Sequence, residues 1–314
     1  MSALLIEAGD GIHRAALVES GRIDAYLEEA PGEASQIGAA WLGRVRIVNE
    51  AAGAAFIDIG LDRDGFLNAN DAPGDKSMPL GQRLQEGQAL LVQALRDATA
   101  EKGLKLTARL APADRARLEA LTKGAKAPAL LRPPRSLAER ALRAHGNDAA
   151  RIAVWPPAAL AEALRWAEGH APDLVTRFER PRASQPPFAA EGIEDAVATL
   201  HAAEVALPGG GRLRFGRTAA LTAIDVDRAR ATQPPQAVNA EAATEIARQL
   251  RLRNIGGLVV VDFLRLPALD RAAAPALRAA LAGGEAKTTV LDISPLGLVE
   301  LARQATGRPL PITG

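Results

Sequence analysis

The chain has 314 residues, of which 48% are hydrophobic and 24% charged, so it is long enough for two or more domains of ordinary globular composition. A net charge of +1 excludes a polycation, and the lack of Cys excludes disulfides and thiolate metal sites. No apolar run approaches the length of a membrane span and no signal peptide is recognisable at the start, so we expect a cytoplasmic protein without a membrane partner.

Short strands dominate the first third of the chain. Three are predicted between residues 2 and 29, in SALLIEA, HRAALVE and RIDAYLEE, with Gly-rich and Ser-Gly turns between them. Between Trp41 and Ala108 the runs WLGRVRIV, AAFIDIG, DGFLNA and ALLVQAL predict further strands. Several short strands in about 70 residues favour a small barrel, with the OB type as the leading choice.

The middle of the chain is helical and moderately basic. Helices are predicted at 112–121, 136–144, 157–167 and 193–203, with Pro-rich connectors among them. The stretch from Arg109 to Arg182 holds 14 Lys or Arg against 8 Asp or Glu. Such a stretch attracts phosphate, but solvated helix faces explain it equally well.

A strand, a helix and a strand follow one another near the C-terminal end. The run at 205–215 predicts a hairpin around three glycines, after which ALTAIDVD ends in Asp225 and Asp227. An amphipathic helix with a side-chain cap is predicted from Asn239 to Arg253, and the strand GGLVVVD then ends in Asp262. We expect another helix near Pro275, a strand at 288–292 and a last helix from Leu296, capped by Ser294.

The two strand-end carboxylates are the strongest chemical signal. Functional groups of parallel βαβ units gather at the carboxyl ends of the strands, so Asp225 and Asp262 are expected side by side. Paired carboxylates suit Mg²⁺, which activates water and stabilises phosphoryl transition states. The alternative is that both are ordinary solvated residues at turns.

Three runs carry a resemblance to a known family. They are AAFIDIGLDRDGFLNANDA at Ala54, ALTAIDVDRARAT at Ala220 and EIARQLRLRNIGGLVVVDF at Glu245, and with them the chain resembles the bacterial ribonuclease E/G family. The resemblance implies an α+β and α/β composite fold. An OB-type barrel at 39–108 would be inserted in a ribonuclease H-like subdomain formed by 1–38 and about 150–217. Residues 218–314 would form a deoxyribonuclease I-like catalytic βαβ subdomain.

The resemblance also assigns the catalytic residues. Asp225 and Asp262 match the two Asp residues that hold the catalytic Mg²⁺, and Mn²⁺ is an alternative because it also accepts oxygen ligands. Asp227 stands where the family usually has Asn, and an additional carboxylate there is expected to favour the metal. Lys287 stands where the family often has a basic residue near the site. Arg230 belongs to the ARAT run, where it either contacts substrate or only fixes the following helix.

Three residues of the barrel are implied to bind RNA. Phe56 and Phe66 match aromatics that stack on bases, a mechanism suited to single-stranded RNA. Their alternative role is core packing, which the Ala54-Ala55-Phe56-Ile57 run favours when read without the resemblance. Lys102 matches a basic position of the same motif, with an ordinary solvated lysine as its alternative.

Two departures from the family pattern limit the expected function. No Arg-Thr pair follows the barrel, where the family recognises a 5′-monophosphate, and residues 109–149 read as a linker and helices in its place. The lack of Cys removes the family's zinc link, so a monomer or dimer is expected, without zinc and without a zinc-linked tetramer.

The leading hypothesis is a Mg²⁺-dependent endoribonuclease that cuts single-stranded RNA, such as an rRNA precursor or mRNA, without sensing the 5′ end. The alternatives are an RNA-binding or RNA-assembly protein that kept the fold without turnover, and a carboxylate-metal phosphatase, which leaves the barrel without a purpose.

Overall fold

The structure is a computed structural model that describes residues 1–9, 11–30, 32, 34–98, 102–179, 185–266, 272–284, 286–304 and 307–313. Internal contacts divide it into two compact units. The first is discontinuous in sequence and comprises Met1–Pro31 and Leu137–Gly314. The second, Gly32–Ser136, is inserted between the two parts of the first.

The described part of the chain forms strands and helices with the following bounds. The strands are β1 (Ser2–Glu7), β2 (His13–Glu19), β3 (Arg22–Glu29), β4 (Ala40–Asn49), β5 (Ala54–Asp58), β6 (Gly65–Asn68), β7 (Ala89–Arg96), β8 (Lys105–Thr107), β9 (Ala129–Arg132), β10 (Arg151–Trp155), β11 (Glu204–Ala206), β12 (Arg212–Arg217), β13 (Leu221–Asp227), β14 (Gly257–Asp262), β15 (Thr288–Val290) and β16 (Leu298–Arg303). The α-helices are α1 (Leu80–Arg83), α2 (Pro112–Leu121), α3 (Leu137–His145), α4 (Pro157–His170), α5 (Pro187–Ala190), α6 (Glu194–His201), α7 (Pro235–Leu252) and α8 (Ala273–Leu281), with a 3₁₀ helix at Pro172–Arg177.

The inserted unit is built around a closed barrel of five strands. Its order is β4-β5-β6-β8-β7, closed by β4 pairing with both β5 and β7, and β6 runs parallel to β8. This is the coarse architecture predicted from the strand pattern, with the strand number of an OB barrel. The inward side chains form one apolar core that includes Val45, Ile57, Leu67, Val92 and Leu106. β9, which lies in a segment predicted as a connector, adds to the edge of β4.

A four-stranded sheet of the first unit has the order β10-β1-β2-β3, with β10 parallel to β1. Both faces of β1 are covered, so its sequence is continuously apolar rather than alternating. Leu4 and Ile6 belong to a core with α3 and α4, whereas Ala3 and Leu5 belong to a core with α5 and α6. The strand β10 was not predicted.

The second sheet of the first unit has the order β11-β12-β13-β14-β16-β15, and β13 and β14 run parallel. α7 connects them, as the predicted βαβ unit requires. The residues of β13 and β16 alternate strictly between a buried face and an open face of this sheet. Ile224, Val259 and Val261 share one core with α7 and α8, so the buried face of the sheet is the helix-covered one.

Two predicted features of this region are wrong. Residues 298–303 form β16 and not a helix, because Val299, Leu301 and Arg303 are buried at every second position. Gly297, with a φ of +88°, and Ser294 instead form the turn that leads into the strand. Helix α7 begins at Pro235, so Asn239 lies inside the helix and does not cap it. No helix among the described residues is long and apolar enough to cross a membrane.

Candidate metal centre and nucleic-acid interface

Asp225 and Asp262 are direct neighbours on adjacent parallel strands. The register pairs Leu221 with Leu258 at one end and Asp225 with Asp262 at the other. Alternation places Asp225 on the open face, because Ile224 and Val226 beside it are buried. The Asp225 side chain is 53% exposed, so its oxygens are accessible to an ion from solvent.

This pair gives a donor set suited to Mg²⁺. Carboxylate oxygens are hard ligands, and Mg²⁺ usually binds through one or two carboxylates while it keeps several waters. Among the described residues there is no group of three or more His, Cys, Asp or Glu side chains placed to hold a metal ion. A two-carboxylate site completed by water and substrate is therefore the arrangement that these residues can offer.

Asp227 lies on the same face as Asp225 but has other partners. Its Oδ2 accepts a hydrogen bond from Arg212 Nη2 at 2.8 Å, and its Oδ1 accepts one from the Ala229 backbone N–H at 2.8 Å. The Arg212 hydrogen bond and then that of Ala229 hold the pKa of the Asp227 carboxyl below its usual value. Both oxygens are thus engaged within the protein, and the expectation that Asp227 favours the metal as an additional carboxylate gains no support from this geometry.

Two arginines of β12 face these carboxylates. The antiparallel register places Arg212 opposite Asp227 and Arg214 opposite Asp225. Arg214 Nη2 lies 3.4 Å from Asp227 Oδ2, and its Nη1 lies 3.9 Å from Asp225 Oδ2. Both arginines also form ion pairs with Glu204 of β11. The open face at this end is therefore a network of alternating charges.

The loop after Asp262 is fixed from inside the helix layer. Asn239 in α7 is 1% exposed, and its amide bonds both backbone polar atoms of Leu264. This explains a polar side chain in the core, since its hydrogen-bonding groups are satisfied there.

Lys287 does not lie beside the Asp pair. It directly precedes Thr288, which pairs with Arg303, and Arg303 pairs with Gly257 at the start of β14. Asp262 lies five residues beyond Gly257 on β14, so at about 3.3 Å per residue the two ends of this strand are roughly 17 Å apart. The prediction that Lys287 contributes to the site is therefore not supported by the fold, because β15 runs in the direction that puts Lys287 at the opposite end.

Arg230 lies in the exposed turn after β13. Its backbone N–H donates to the carbonyl oxygen of Gly210 at 2.9 Å, so the ARAT run is joined to the β11–β12 hairpin turn. Gly210 has a φ of +89°, and a Cβ added to it would lie 3.2 Å from the Arg230 backbone. Glycine therefore suits both the conformation and the close approach at this position. This contact is made by the main chain and assigns no role to the Arg230 guanidinium.

Phe56 and Phe66 form a cross-strand pair on the outside of the barrel. They are register partners on β5 and β6, with ring centroids 6.0 Å apart in an edge-to-face arrangement. Their neighbours Ala55, Ile57 and Leu67 point into the core, and both rings are half-buried. The pair therefore lies outside the apolar core of the barrel and presents aromatic surface outward.

Phe56 and Phe66 belong to a row of register partners on the outer face of the barrel, which continues onto β4 on one side and β8 on the other. We call it the outer row. Ile47 is paired with Phe56 and is 49% exposed, and Lys105 is paired with Phe66. Lys105 Nζ forms an ion pair with Asp71 at 3.2 Å. The row thus runs from an aliphatic side chain through two aromatic rings to a cation, which is the composition of a stacking surface for single-stranded nucleic acid.

Lys102 is exposed at the turn before β8. The following Gly103 packs so closely on the backbone of Asp64 that a Cβ there would lie 2.1 Å from the Asp64 carbonyl oxygen. Any other residue at 103 would displace the turn, so glycine fixes the position of Lys102 near the start of β6.

A family model described as the ribonuclease E/G family matches residues 85–306. The chain belongs to the ribonuclease E/G family. The matched range contains Asp225 and Asp262, whereas Phe56 and Phe66 precede it.

Named relatives agree with this membership. The chain is 28% identical to ribonuclease E of Escherichia coli K12 over 385 residues, covering 93% of this chain and 35% of that protein. It is 25% identical to ribonuclease G of Salmonella typhimurium over 389 residues, covering 96% of this chain and 80% of that protein. The chain therefore spans about a third of the length of that ribonuclease E and most of the length of that ribonuclease G.

The matched regions are longer than this chain. Since 96% of 314 residues is about 301, a match over 389 residues leaves roughly 90 positions without a counterpart here. In this ribonuclease E/G family member, the segment between the end of β8 at Thr107 and the start of α3 at Leu137 contains only α2, β9 and their connections.

Sequence reasoning missed three features of the site: the arginines of β12, the row partners Ile47 and Lys105, and the role of Asn239. The first had a signal, since the alternation in RLRFGR places Arg212 and Arg214 on one face of a strand that the hairpin pairs with β13. The others depend on barrel register and on the true start of α7, which local patterns do not fix.

Proposed function

We propose that this chain is a metal-dependent endoribonuclease that cuts single-stranded RNA. The pairing of Asp225 with Asp262 on adjacent parallel strands carries the proposal, because it makes a two-carboxylate site of the kind that Mg²⁺ uses. Membership of the ribonuclease E/G family supports RNA as the substrate. The proposal includes rRNA precursors and mRNA as natural substrates and Mn²⁺ as an alternative ion.

The proposed division of labour uses both units. The outer row of the barrel, with Phe56 and Phe66, would bind bases by stacking, and the open face of the second sheet would perform the cut. The same proposal identifies the sheet of β1, β2, β3 and β10 with a ribonuclease H-like subdomain and residues 218–314 with a deoxyribonuclease I-like one.

The reaction is hydrolysis of a phosphodiester. A water oxygen forms a bond to phosphorus, one ester P–O bond breaks, and the proton of the water ends on the leaving oxygen. Asp225 and Asp262 would hold a divalent ion, which would supply the activation of water and the stabilisation of phosphoryl charge. The protein itself orients the two carboxylates through the β13–β14 register and holds the chain after Asp262 through Asn239.

We also propose that the enzyme does not sense the 5′ end. The short connection between β8 and α3 and the roughly 90 positions missing relative to ribonuclease G support the loss of a separate sensor region. The lack of Cys supports an assembly without a zinc link, as a monomer or a dimer.

Cleavage of an internally labelled single-stranded RNA tests the proposal. The wild-type chain should cut with Mg²⁺ and not with a chelator, and an Asp262→Asn variant should bind the RNA without cutting it. RNA binding without any Mg²⁺-dependent cleavage by the wild-type chain would favour the alternative, an RNA-binding or RNA-assembly protein of the same fold.

A further inference from the structure

A row of four charged residues crosses the open face of the second sheet. Strand register places Glu204 opposite Arg214, Arg214 opposite Asp225, and Asp225 opposite Asp262. The row therefore reads acid, base, acid, acid across β11, β12, β13 and β14. Arg214 is the cation nearest to Asp225 in this row, since direct cross-strand neighbours have Cα atoms about 5 Å apart.

The Arg214 guanidinium is anchored at one atom and directed toward the Asp pair at the others. Its Nε donates to Glu204 Oε1 at 2.9 Å. Its Nη1 and Nη2 approach Asp225 and Asp227 at the longer distances of 3.9 and 3.4 Å. The side chain is 45% exposed, so the terminal nitrogens are accessible to a solute. A planar guanidinium held in this way matches the non-bridging oxygens of a phosphate.

The carboxylates of this cluster outnumber its arginines, and one divalent ion balances the difference. Glu204, Asp225, Asp227 and Asp262 carry four negative charges against the two positive charges of Arg212 and Arg214. One divalent ion neutralises the remaining two. A phosphodiester then brings further negative charge, which grows in the transition state and is stabilised by N–H donors directed at its oxygens.

A shallow cavity of about 720 Å³ gives access to this arginine. Small residues line it, among them Ala202, Gly216 and Ala223, and Arg214 and Asp225 form part of its wall. Because Ala223 and Gly216 carry little or no side chain, they leave space beside Asp225 for a nucleotide whose phosphate reaches Arg214.

We propose that Arg214 binds a non-bridging phosphate oxygen of the RNA at the Asp225–Asp262 site and stabilises the charge that develops there during cleavage. The inference rests on the proposed function and adds a catalytic residue to it. Arg212, whose Nη2 is bound to Asp227, has the different role of neutralising that carboxylate.

A binding experiment without metal tests the phosphate contact directly. Affinity for a short single-stranded RNA is measured in chelator at several salt concentrations, for the wild-type chain, Arg214→Ala and Arg214→Lys. Each phosphate contact contributes about 0.7 to the slope of log affinity against log salt for single strands. Arg214→Ala should lower that slope by about 0.7, and Arg214→Lys should retain it because the charge remains.

Arg217→Ala is the matched control. Arg217 lies on the same strand and is exposed, but three residues from Arg214 it points to the other face of the sheet. The control removes the same charge from the other face of the sheet, away from the Asp pair, so it should leave the slope unchanged. Thermal melting of each variant checks folding, and Arg214→Gln, which also lacks the charge, replaces Arg214→Ala if that variant does not fold.

Single-turnover cleavage with Mg²⁺ tests the catalytic role. Arg214→Ala should cut at least about 100-fold more slowly, as for loss of a donor to a developing oxyanion. Arg214→Lys should also be slow because it lacks the fork, and guanidinium chloride at millimolar concentration should restore part of the Arg214→Ala rate beyond an equal concentration of NaCl.

The outcomes separate the two proposals. An Arg214→Ala variant with the slope and the rate of the Arg217→Ala control overturns the role of Arg214 while the proposed function stands. A wild-type chain that does not cut, together with a lowered slope for Arg214→Ala, overturns the proposed function and the catalytic role but retains the phosphate contact.

Discussion

Asn239, inside helix α7, holds Leu264 by two hydrogen bonds. Its Nδ2 donates to the Leu264 carbonyl oxygen at 3.0 Å, and its Oδ1 accepts from the Leu264 backbone N–H at 3.0 Å. Leu264 is two residues beyond Asp262, so the interior of the helix layer fixes the direction of the chain as it leaves the candidate metal centre. The support for this exit from the site is therefore an almost completely buried side chain.

Replacing Asn239 should affect both stability and activity. Asn239→Ala leaves the backbone groups of Leu264 without these partners, and the free energy of unfolding should fall by about 1–3 kcal/mol. Asn239→Asp keeps the acceptor for the Leu264 N–H but loses the donor. It should cut RNA more slowly at temperatures where it remains folded, since a displacement of about 1 Å at a reacting group costs on the order of 100-fold. Normal cleavage by folded Asn239→Asp would show that Asp262 does not depend on this support.

The sequence predicted the βαβ unit and the neighbouring Asp residues because both follow from local pattern and from one rule of topology. Apolar runs of strand length ended at Asp225 and Asp262, and the parallel connection then determined their adjacency. The position of Lys287 could not be predicted in the same way, because it depends on the direction of β15. That direction is set by pairing with β16, which was predicted as a helix. LVELAR is short enough for either structure, and only the buried positions Val299, Leu301 and Arg303 distinguish them.

In the barrel, too, the sequence predicted the strands but not which way individual side chains point. Its strand-rich pattern was readable, but whether Phe56 points inward or outward depends on register, and a shift of one residue reverses it. The bulge in β4 between Val45 and Ile47 changes that register locally, and no turn signal in the sequence marks it.

The Asp pair should be indispensable for cleavage. Asp225→Asn and Asp262→Asn each remove a charged oxygen ligand, so cleavage with Mg²⁺ should fall by more than about 100-fold while RNA affinity in chelator is retained. Asp24→Asn, an exposed Asp of β3 in the other sheet, is the control with the same change of charge. Lys287→Ala should cut at nearly the wild-type rate, because Lys287 lies at the far end of the sheet. A loss with Lys287→Ala as large as that with Asp262→Asn would contradict this placement.

The two phenylalanines should contribute to RNA binding rather than to the core. Phe56→Ala and Phe66→Ala should each weaken binding of single-stranded RNA by about 1–3 kcal/mol if they stack on bases. Leu67→Ala is the contrasting variant, since Leu67 follows Phe66 directly and is fully buried. It should lower the free energy of unfolding by about 2–5 kcal/mol. The assignment fails if the Phe variants lose comparable stability and keep full RNA affinity, as measured by melting and by fluorescence anisotropy.

Asp227 should titrate below an ordinary Asp. Its charged form is favoured by the Arg212 hydrogen bond and then by that of Ala229, so its pKa in the folded protein is lowered from 3.8. A lowered carboxyl pKa adds stability that is complete above the unfolded value and is lost as the pH falls through the folded value. Carboxyl ¹³C NMR should find the Asp227 titration below that of exposed Asp residues, and Arg212→Ala should raise it. An Asp227 pKa unchanged by Arg212→Ala would mean that the ion pair does not form in solution.

Cleavage should be insensitive to the chemistry of the 5′ end. A 5′ sensor accelerates cleavage by giving a monophosphate contacts that a hydroxyl end lacks, and this requires a pocket that distinguishes the two. The segment between β8 and α3 contains only α2, β9 and short connections, which supports the proposed loss of such a region. Substrates with the same internal site and either a 5′-hydroxyl or a 5′-monophosphate should therefore be cut at similar rates. Any general attraction of phosphate by the basic stretch from Arg109 to Arg182 should act on both and decrease with added salt. A preference of tenfold or more for the monophosphate, about 1.4 kcal/mol, would show that another part of this chain recognises the 5′ end.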